Sequence, residues 1–229
     1  MSPVLPTVPS DSPLTPTLAI HLSPSHKSGT IHAWVIVLLI TASTGLYLWT
    51  IDFPMVFDDY SYLINNPIFR DTTSFSYPTN FTEFVNRPAK FGFDPDYAIN
   101  FVLRPVAYAT FYLNQWFDEF NPRWYRAINI GIHTANALLL YGILISLLRP
   151  FKDTGKLDRS SWHFIPAVSA LIFAVHPLAI ESVTYIIQRF TSLVTLFSLL
   201  SLWLHFLSLT AKTKKGIWLL RSGSVFALL

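Results

Sequence analysis

Two adjacent acids, Asp58 and Asp59 in the stretch FDDYSYLINNP, come shortly after an apolar run, Ile31 to Ile51, that contains no Lys, Arg, Asp or Glu. Neighbouring carboxylates can hold a divalent cation through hard oxygen ligands, or split the work of a general base and a substrate-orienting group. Loop acids are more often simply solvated, so the pair alone carries little. A third acid sharpens the picture. Glu181, within HPLAIESVTYIIQR from His176 to Arg189, is the only acid between Asp158 and the C-terminus and sits in a largely apolar stretch. An ionisable group so close to lipid points to function. A helix beginning near Leu178 places Glu181, Tyr185 and Gln188 on one face with Arg189 beside it. The plainer alternative is an ion pair of Glu181 with Arg189 or Arg104 that only holds the loop.

Arg104, Arg123, Arg126 and Arg189 are expected to lie near the same surface as these acids. A guanidinium grips phosphate with two parallel hydrogen bonds, which makes a lipid phosphate the natural ligand, with structural pairing to nearby acids as the competing role. Farther along, Asn129, His133 and Asn136 recur at spacings of four and three inside an apolar segment. Polar residues so placed usually bond a neighbouring helix, and a substrate or proton path is the sharper alternative. There is no phosphate-binding glycine loop, no zinc-type histidine pair and no nucleophile elbow. With no cysteine, disulfides and thiolate metal sites are excluded.

The elements that must position these groups are membrane helices. The chain is 52% hydrophobic and 13% charged, whereas soluble domains carry roughly a quarter charged residues. Residues 1–29, rich in Pro, Ser and Thr, read as a disordered tail. Ile31 to Ile51 reads as a span rather than a signal peptide, because no small-residue cleavage site follows it. Trp124 to Leu148, Trp162 to about His176, and Phe190 to Leu209 read as further spans. Ile217 to Leu229 begins a fifth that stops before it could cross. The expected fold is all-α: a polytopic membrane protein with four complete transmembrane helices plus an incomplete fifth, the N-terminal part, residues 30–229, of a larger or truncated domain.

Basic residues set the orientation. Arg149, Lys152, Lys156 and Arg159 fill one connection, and Lys212, Lys214, Lys215 and Arg221 flank another, so both belong in the cytoplasm. That reading also accounts for the +3 net charge without nucleic acid. It places the N-terminus inside and residues 52–123 outside, where nine acids outnumber five bases. Within this external loop, LRPVAYATFYLNQWF has an apolar stripe of Val106, Ala107, Phe111, Leu113 and Phe117 that predicts a juxtamembrane helix on the membrane surface. Trp49, Trp116, Trp124 and Trp162 fall near span ends, as interfacial anchors do. Asn80-Phe81-Thr82 is an N-glycosylation sequon.

Four motifs occur in order: VFDDYSYLINNPIF, LRPVAYATFYLNQWF, NPRWYRAINIGIHTANALLLY and HPLAIESVTYIIQRFTSL. Together they resemble the transmembrane part of the tetratricopeptide-repeat O-mannosyltransferase-like proteins, in the GT-C superfamily of glycosyltransferases. The resemblance runs from about Asp52 to Leu209, and VTYIIQRFTSL has the cast of bacterial members, which implies a bacterial inner membrane. It departs at Tyr125-Arg126, where members commonly carry Tyr-His. The resemblance implies transfer of mannose or another hexose from a polyprenyl-phosphate donor to a protein or glycan hydroxyl on the external face, with inversion. It makes Asp58 the base and Asp59 and Glu181 the groups that orient sugar, phosphate or a divalent cation. Arg104 and Arg189 would bind phosphate, with His176 and Tyr185 as further substrate contacts. A non-catalytic module that binds lipid phosphate or a partner subunit is the second reading, and a transporter subunit the third.

Overall fold

A computed structural model describes residues 25–66, 69 and 95–227. Residues 1–24 of the expected tail and the sequon at Asn80 lie outside them. The described residues form helices and connecting turns without a strand. In chain order they are α1 (Ser25–Tyr47), α2 (Pro95–Leu103), α3 (Pro105–Asp118), α4 (Pro122–Asp153), α5 (Arg159–Val175), α6 (Ala179–Thr184), α7 (Arg189–Thr210) and α8 (Lys214–Phe226). Helix α1 starts at Ser25, a few residues inside the expected tail.

Among the described residues three segments are long and apolar enough to cross a membrane: Gly29–Thr50, Pro122–Asp153 and Ile186–Thr210. The chain is therefore an all-α membrane protein. Helix α5, expected as a full span, has 17 residues, about 25 Å at the helical rise and short of the ~30 Å hydrocarbon core. Helix α8 has 13, in keeping with an incomplete span.

Capping residues set the ends. The Asn121 side chain accepts from the Arg123 amide and Pro122 opens α4, while Asp158 accepts from the Ser160 and Ser161 amides at the start of α5. Helix α4 runs through Arg149-Pro150 to Asp153, and Gly155, at φ 70°, then reverses the chain.

Helix α4 is the axis of the bundle, packed against α1, α5 and α7, and α8 returns along α7. Alanines 137, 170 and 174 are fully buried beside Leu39 and Tyr141; such small side chains let membrane helices approach closely. Gly142 serves the same end, since a Cβ there would come within 3.0 Å of the Trp203 ring. The Asn129, His133 and Asn136 row is spent on cross-helix bonds. Asn129 Nδ2 donates to the Val183, Tyr185 and Ile186 carbonyls, a His133 nitrogen lies 3.0 Å from the Ala174 carbonyl, and Asn136 Nδ2 donates to the Ser192 carbonyl.

A second core closes the end of the bundle where α1 finishes and α7 begins. Met55, Leu63, Phe69, Tyr108, Phe111, Tyr125 and Ile186 are buried together there. Helix α3 caps this core with Tyr108 and Phe111, while its Ala107 packs against Ile132 and Leu193 and its Asn114 is buried as well. The expected stripe is thus split between two faces: Ala107 and Phe111 point inward, whereas Val106, Leu113 and Phe117 are exposed with Trp116. An apolar sequence on both sides of a short helix suits a position between protein and lipid. Trp49, Trp116 and Trp124 are exposed near helix ends, but Trp162 is buried under the Lys152 ammonium, 3.7 Å from its ring.

Candidate functional site

The two acids of FDDYSY part company. The chain turns at Phe57, which holds a left-handed φ of 47°, a conformation uncommon outside glycine. Backbone bonds Asp59 N to Val56 O and Tyr60 N to Phe57 O close the turn. Asp58 is exposed and lines a cleft, whereas Asp59 is fully buried. Asp59 Oδ2 accepts from the Val56 amide at 3.2 Å and Oδ1 from the Ile187 amide at 3.0 Å. Burial pushes its carboxyl above the ordinary range, opposed by these amides and by the positive field of Arg126.

The cleft is about 910 Å³ in volume. Asp58, Tyr62, Arg104, Gln188 and Thr191 supply its polar end. It then follows α7 as far as Ser198, walled by Leu103, Val106, Phe190, Val194, Phe197 and Phe226, a length of about 15 Å at the helical rise. Arg104 stands exposed at the junction, its guanidinium carbon 4.7 Å from the Phe190 ring centre. Among the described residues it has no carboxylate partner.

The other three arginines serve the protein. Arg123 pairs with Asp52 at 2.7 Å. Arg126 is 1% exposed and donates to the Thr184 carbonyl at 3.0 Å, to Pro54 at 2.7 Å and to Phe53. Arg189, expected as a phosphate ligand, is fully buried. It donates to Asn129 Oδ1, Asn114 Oδ1, Thr110 Oγ1 and the Tyr125 carbonyl, and lies 4.4 Å from the Phe111 ring centre. A buried cation must be paired or solvated by dipoles, and here side-chain and backbone oxygens do so, leaving nothing to offer the cleft.

The expected helix through Glu181, Tyr185 and Gln188 is interrupted. Helix α6 ends at Thr184, Tyr185 is extended, and a short 3-10 turn follows over Ile186–Gln188. Side chains from α4 bond the carbonyls at this break, Asn129 those of Val183, Tyr185 and Ile186 and Arg126 that of Thr184, while the Tyr185 and Ile186 carbonyls also accept the Gln188 and Arg189 amides of the 3-10 turn. Gln188 therefore turns into the cleft, while exposed Glu181 and half-buried Tyr185 are not among its lining. Tyr185 lies edge-on to Phe57, with centres 6.4 Å apart. His176 spends Nδ1 on the Leu178 amide at 3.2 Å.

Of the expected site residues, Asp58 and Arg104 are brought together in one cleft. Asp59 and Arg189 are taken inside, and His176, Glu181 and Tyr185 stand off it. Among the described residues no three acidic or histidine side chains converge as a metal site. The framework role of Arg126 had no sequence signal, because the backbone carbonyls it grips are remote in the chain.

A helical membrane protein with an acid and an arginine at the head of an apolar cleft is the class this architecture defines. Particular relatives then add to it. The chain is 28% identical over 183 residues to a protein O-mannosyl-transferase of Caenorhabditis elegans, covering 80% of this chain and 24% of that protein. It is 27% identical over 175 residues to protein O-mannosyl-transferase TMTC1 of Mus musculus, covering 76% of this chain and 17% of the relative. It is 33% identical over 102 residues to protein O-mannosyl-transferase TMTC4 of Mus musculus, covering 43% and 14%. The chain thus spans a quarter or less of these animal relatives. No family model matches it, and no solved structure does. The relatives support a glycosyltransferase-like relationship.

Proposed function

We propose that the chain carries the donor-binding and catalytic part of a membrane glycosyltransferase that moves mannose or another hexose from a polyprenyl-phosphate donor to a protein hydroxyl on the external face. The observation that carries this reading is the cleft, in which Asp58 and Arg104 share a polar head continuous with an apolar wall along α7. A lipid-linked sugar phosphate has the same division between charged head and hydrocarbon tail.

In the proposed reaction an acceptor hydroxyl gives its proton to an Asp58 carboxylate oxygen as its own oxygen attacks the anomeric carbon. The bond from that carbon to the phosphate oxygen breaks, and its electron pair leaves with the polyprenyl phosphate. Attack opposite the leaving phosphate inverts the anomeric carbon. Arg104 stabilises the charge that gathers on the departing phosphate, where preorganised positive charge lowers the barrier most. A divalent cation is compatible with Asp58 and phosphate oxygens as ligands; Asp59 has both oxygens committed to amides. The Lys- and Arg-rich connections at 149–159 and 212–221, which the positive-inside rule assigns to the cytoplasm, and the bacterial cast of VTYIIQRFTSL are what support the proposed inner-membrane location with the N-terminus inside.

The second reading, a non-catalytic module that binds lipid phosphate, rests on the same Arg104. Sugar transfer by membranes containing the chain, compared with Asp58→Asn and Arg104→Gln, separates the two. The enzyme reading expects Asp58→Asn to lower turnover by about 100-fold or more while donor binding persists. Transfer that survives Asp58→Asn at the wild-type rate removes the proposed base. Donor binding without transfer by the wild-type chain establishes the binding module instead.

A further inference from the structure

Two chain segments contribute neighbouring residues to the cleft lining: 53–59, which presents Asp58, and 183–188, which presents Ile187 and Gln188. They are far apart in sequence, and two buried side chains join them. Arg126 grips carbonyls, Phe53 and Pro54 on one segment and Thr184 on the other. Asp59 grips amides, Val56 on its own segment and Ile187 on the other. Arg126 and Asp59 are 1% and 0% exposed, and neither lines the cleft.

We infer that Arg126 and Asp59 form a two-part clasp that fixes the spacing of Asp58 from Gln188, and so act as positioning residues for the reaction proposed above. The division of labour follows from chemistry. A guanidinium has only donors in a rigid fork, suited to three carbonyls at once, and a carboxylate has only acceptors, suited to two amides. Lysine cannot span three carbonyls as a fork, and an asparagine at residue 59 can accept through one atom only, its amide nitrogen facing an amide donor. Either change opens one half of the clasp without touching a group that meets substrate. The catalytic consequence rests on the proposed function; the clasp itself does not.

The test therefore has two readouts on the full chain in detergent or membranes: hydrogen exchange in the peptide covering residues 184–188, and steady-state transfer. Asp59→Asn and Arg126→Lys should each speed exchange of the Ile187 amide by about 10-fold, the loss of roughly one hydrogen bond's net worth. Each should also lower kcat while KM for the lipid donor changes less than about 3-fold, the pattern of misplacement rather than lost binding. The double variant should be little worse than the poorer single one, because both break the same unit. Arg126→Lys keeps the buried charge, and serves where Arg126→Ala fails to fold. Unchanged exchange in both variants overturns the clasp. Faster exchange with unchanged kcat overturns the positioning role, as does a raised KM at constant kcat. A wild-type chain without transfer counts against the glycosyltransferase reading, and the exchange data still decide the clasp.

Discussion

Arg104 differs from its three neighbours in what surrounds it: solvent, the Phe190 ring and the cleft, with no carboxylate beside it among the described residues. Arg104→Gln is expected to weaken binding of a polyprenyl-phosphate donor by about 10- to 100-fold, the range for a charge-assisted hydrogen bond, as measured by titration into purified protein. Arg189→Leu acts elsewhere. It strands Asn114 Oδ1 and Asn129 Oδ1 in the core, and should cost about 2–4 kcal/mol of stability, seen as a lowered Tm in detergent. Asp59 adds a pH signature. Its folded carboxyl lies above the ordinary value because burial penalises the charged form. Between the unfolded and the folded pKa the folded chain therefore binds the proton more fully, so stability falls as pH rises through that window and is greatest below it. Asp59→Asn should flatten that slope in Tm measured against pH. The acid pair itself was visible in the sequence, but its division into an exposed Asp58 and a buried Asp59 was not. Adjacent residues in a loop carry no periodic sign of which one faces inward.

Among the elements, α4 and α7 meet where Gly142 admits the Trp203 ring. Gly142→Leu should overpack that crossing and cost about 1–3 kcal/mol. Gly131→Ala, with nothing within 4 Å of the new methyl, should be neutral or stabilise by up to about 1 kcal/mol through helix propensity. A pair of thermal denaturation curves in detergent checks both, and equal losses would place the helix contact elsewhere. The spans were legible because their apolar runs match the thickness of a bilayer. Helix α6 was not read correctly, since the spacing of Glu181, Tyr185 and Gln188 fits a continuous helix. At its break Asn129 and Arg126 reach over from α4 to the carbonyls of residues 183–186, two of which, Tyr185 and Ile186, also accept amides of the 3-10 turn, and distant partners of this kind leave no mark on residue spacing. Helix α3 shows the same limit, for its apolar residues are numerous enough to supply both a buried and an exposed face.

For the molecule as a whole, the length of α4, 32 residues or about 48 Å, puts its two ends on opposite sides of a bilayer. The absence of native cysteine makes this directly measurable. A single cysteine at Asp118 and another at Gly155 should label from opposite sides of sealed vesicles with a membrane-impermeant maleimide, and the proposed orientation expects Gly155→Cys on the cytoplasmic side. Labelling of both from one side would overturn the topology. Composition and hydropathy by themselves determined a helical membrane protein, because covering backbone polar groups in hydrocarbon leaves few other solutions. Residue types also nominated Asp58 and Arg104 by the simple fact of charge near lipid. Only tertiary structure decided which charges remain for chemistry. Burial of Asp59, Arg126 and Arg189 depends on carbonyls, amides and asparagines brought in from distant segments, and each such partnership removes a charge that the sequence alone had left available to a ligand.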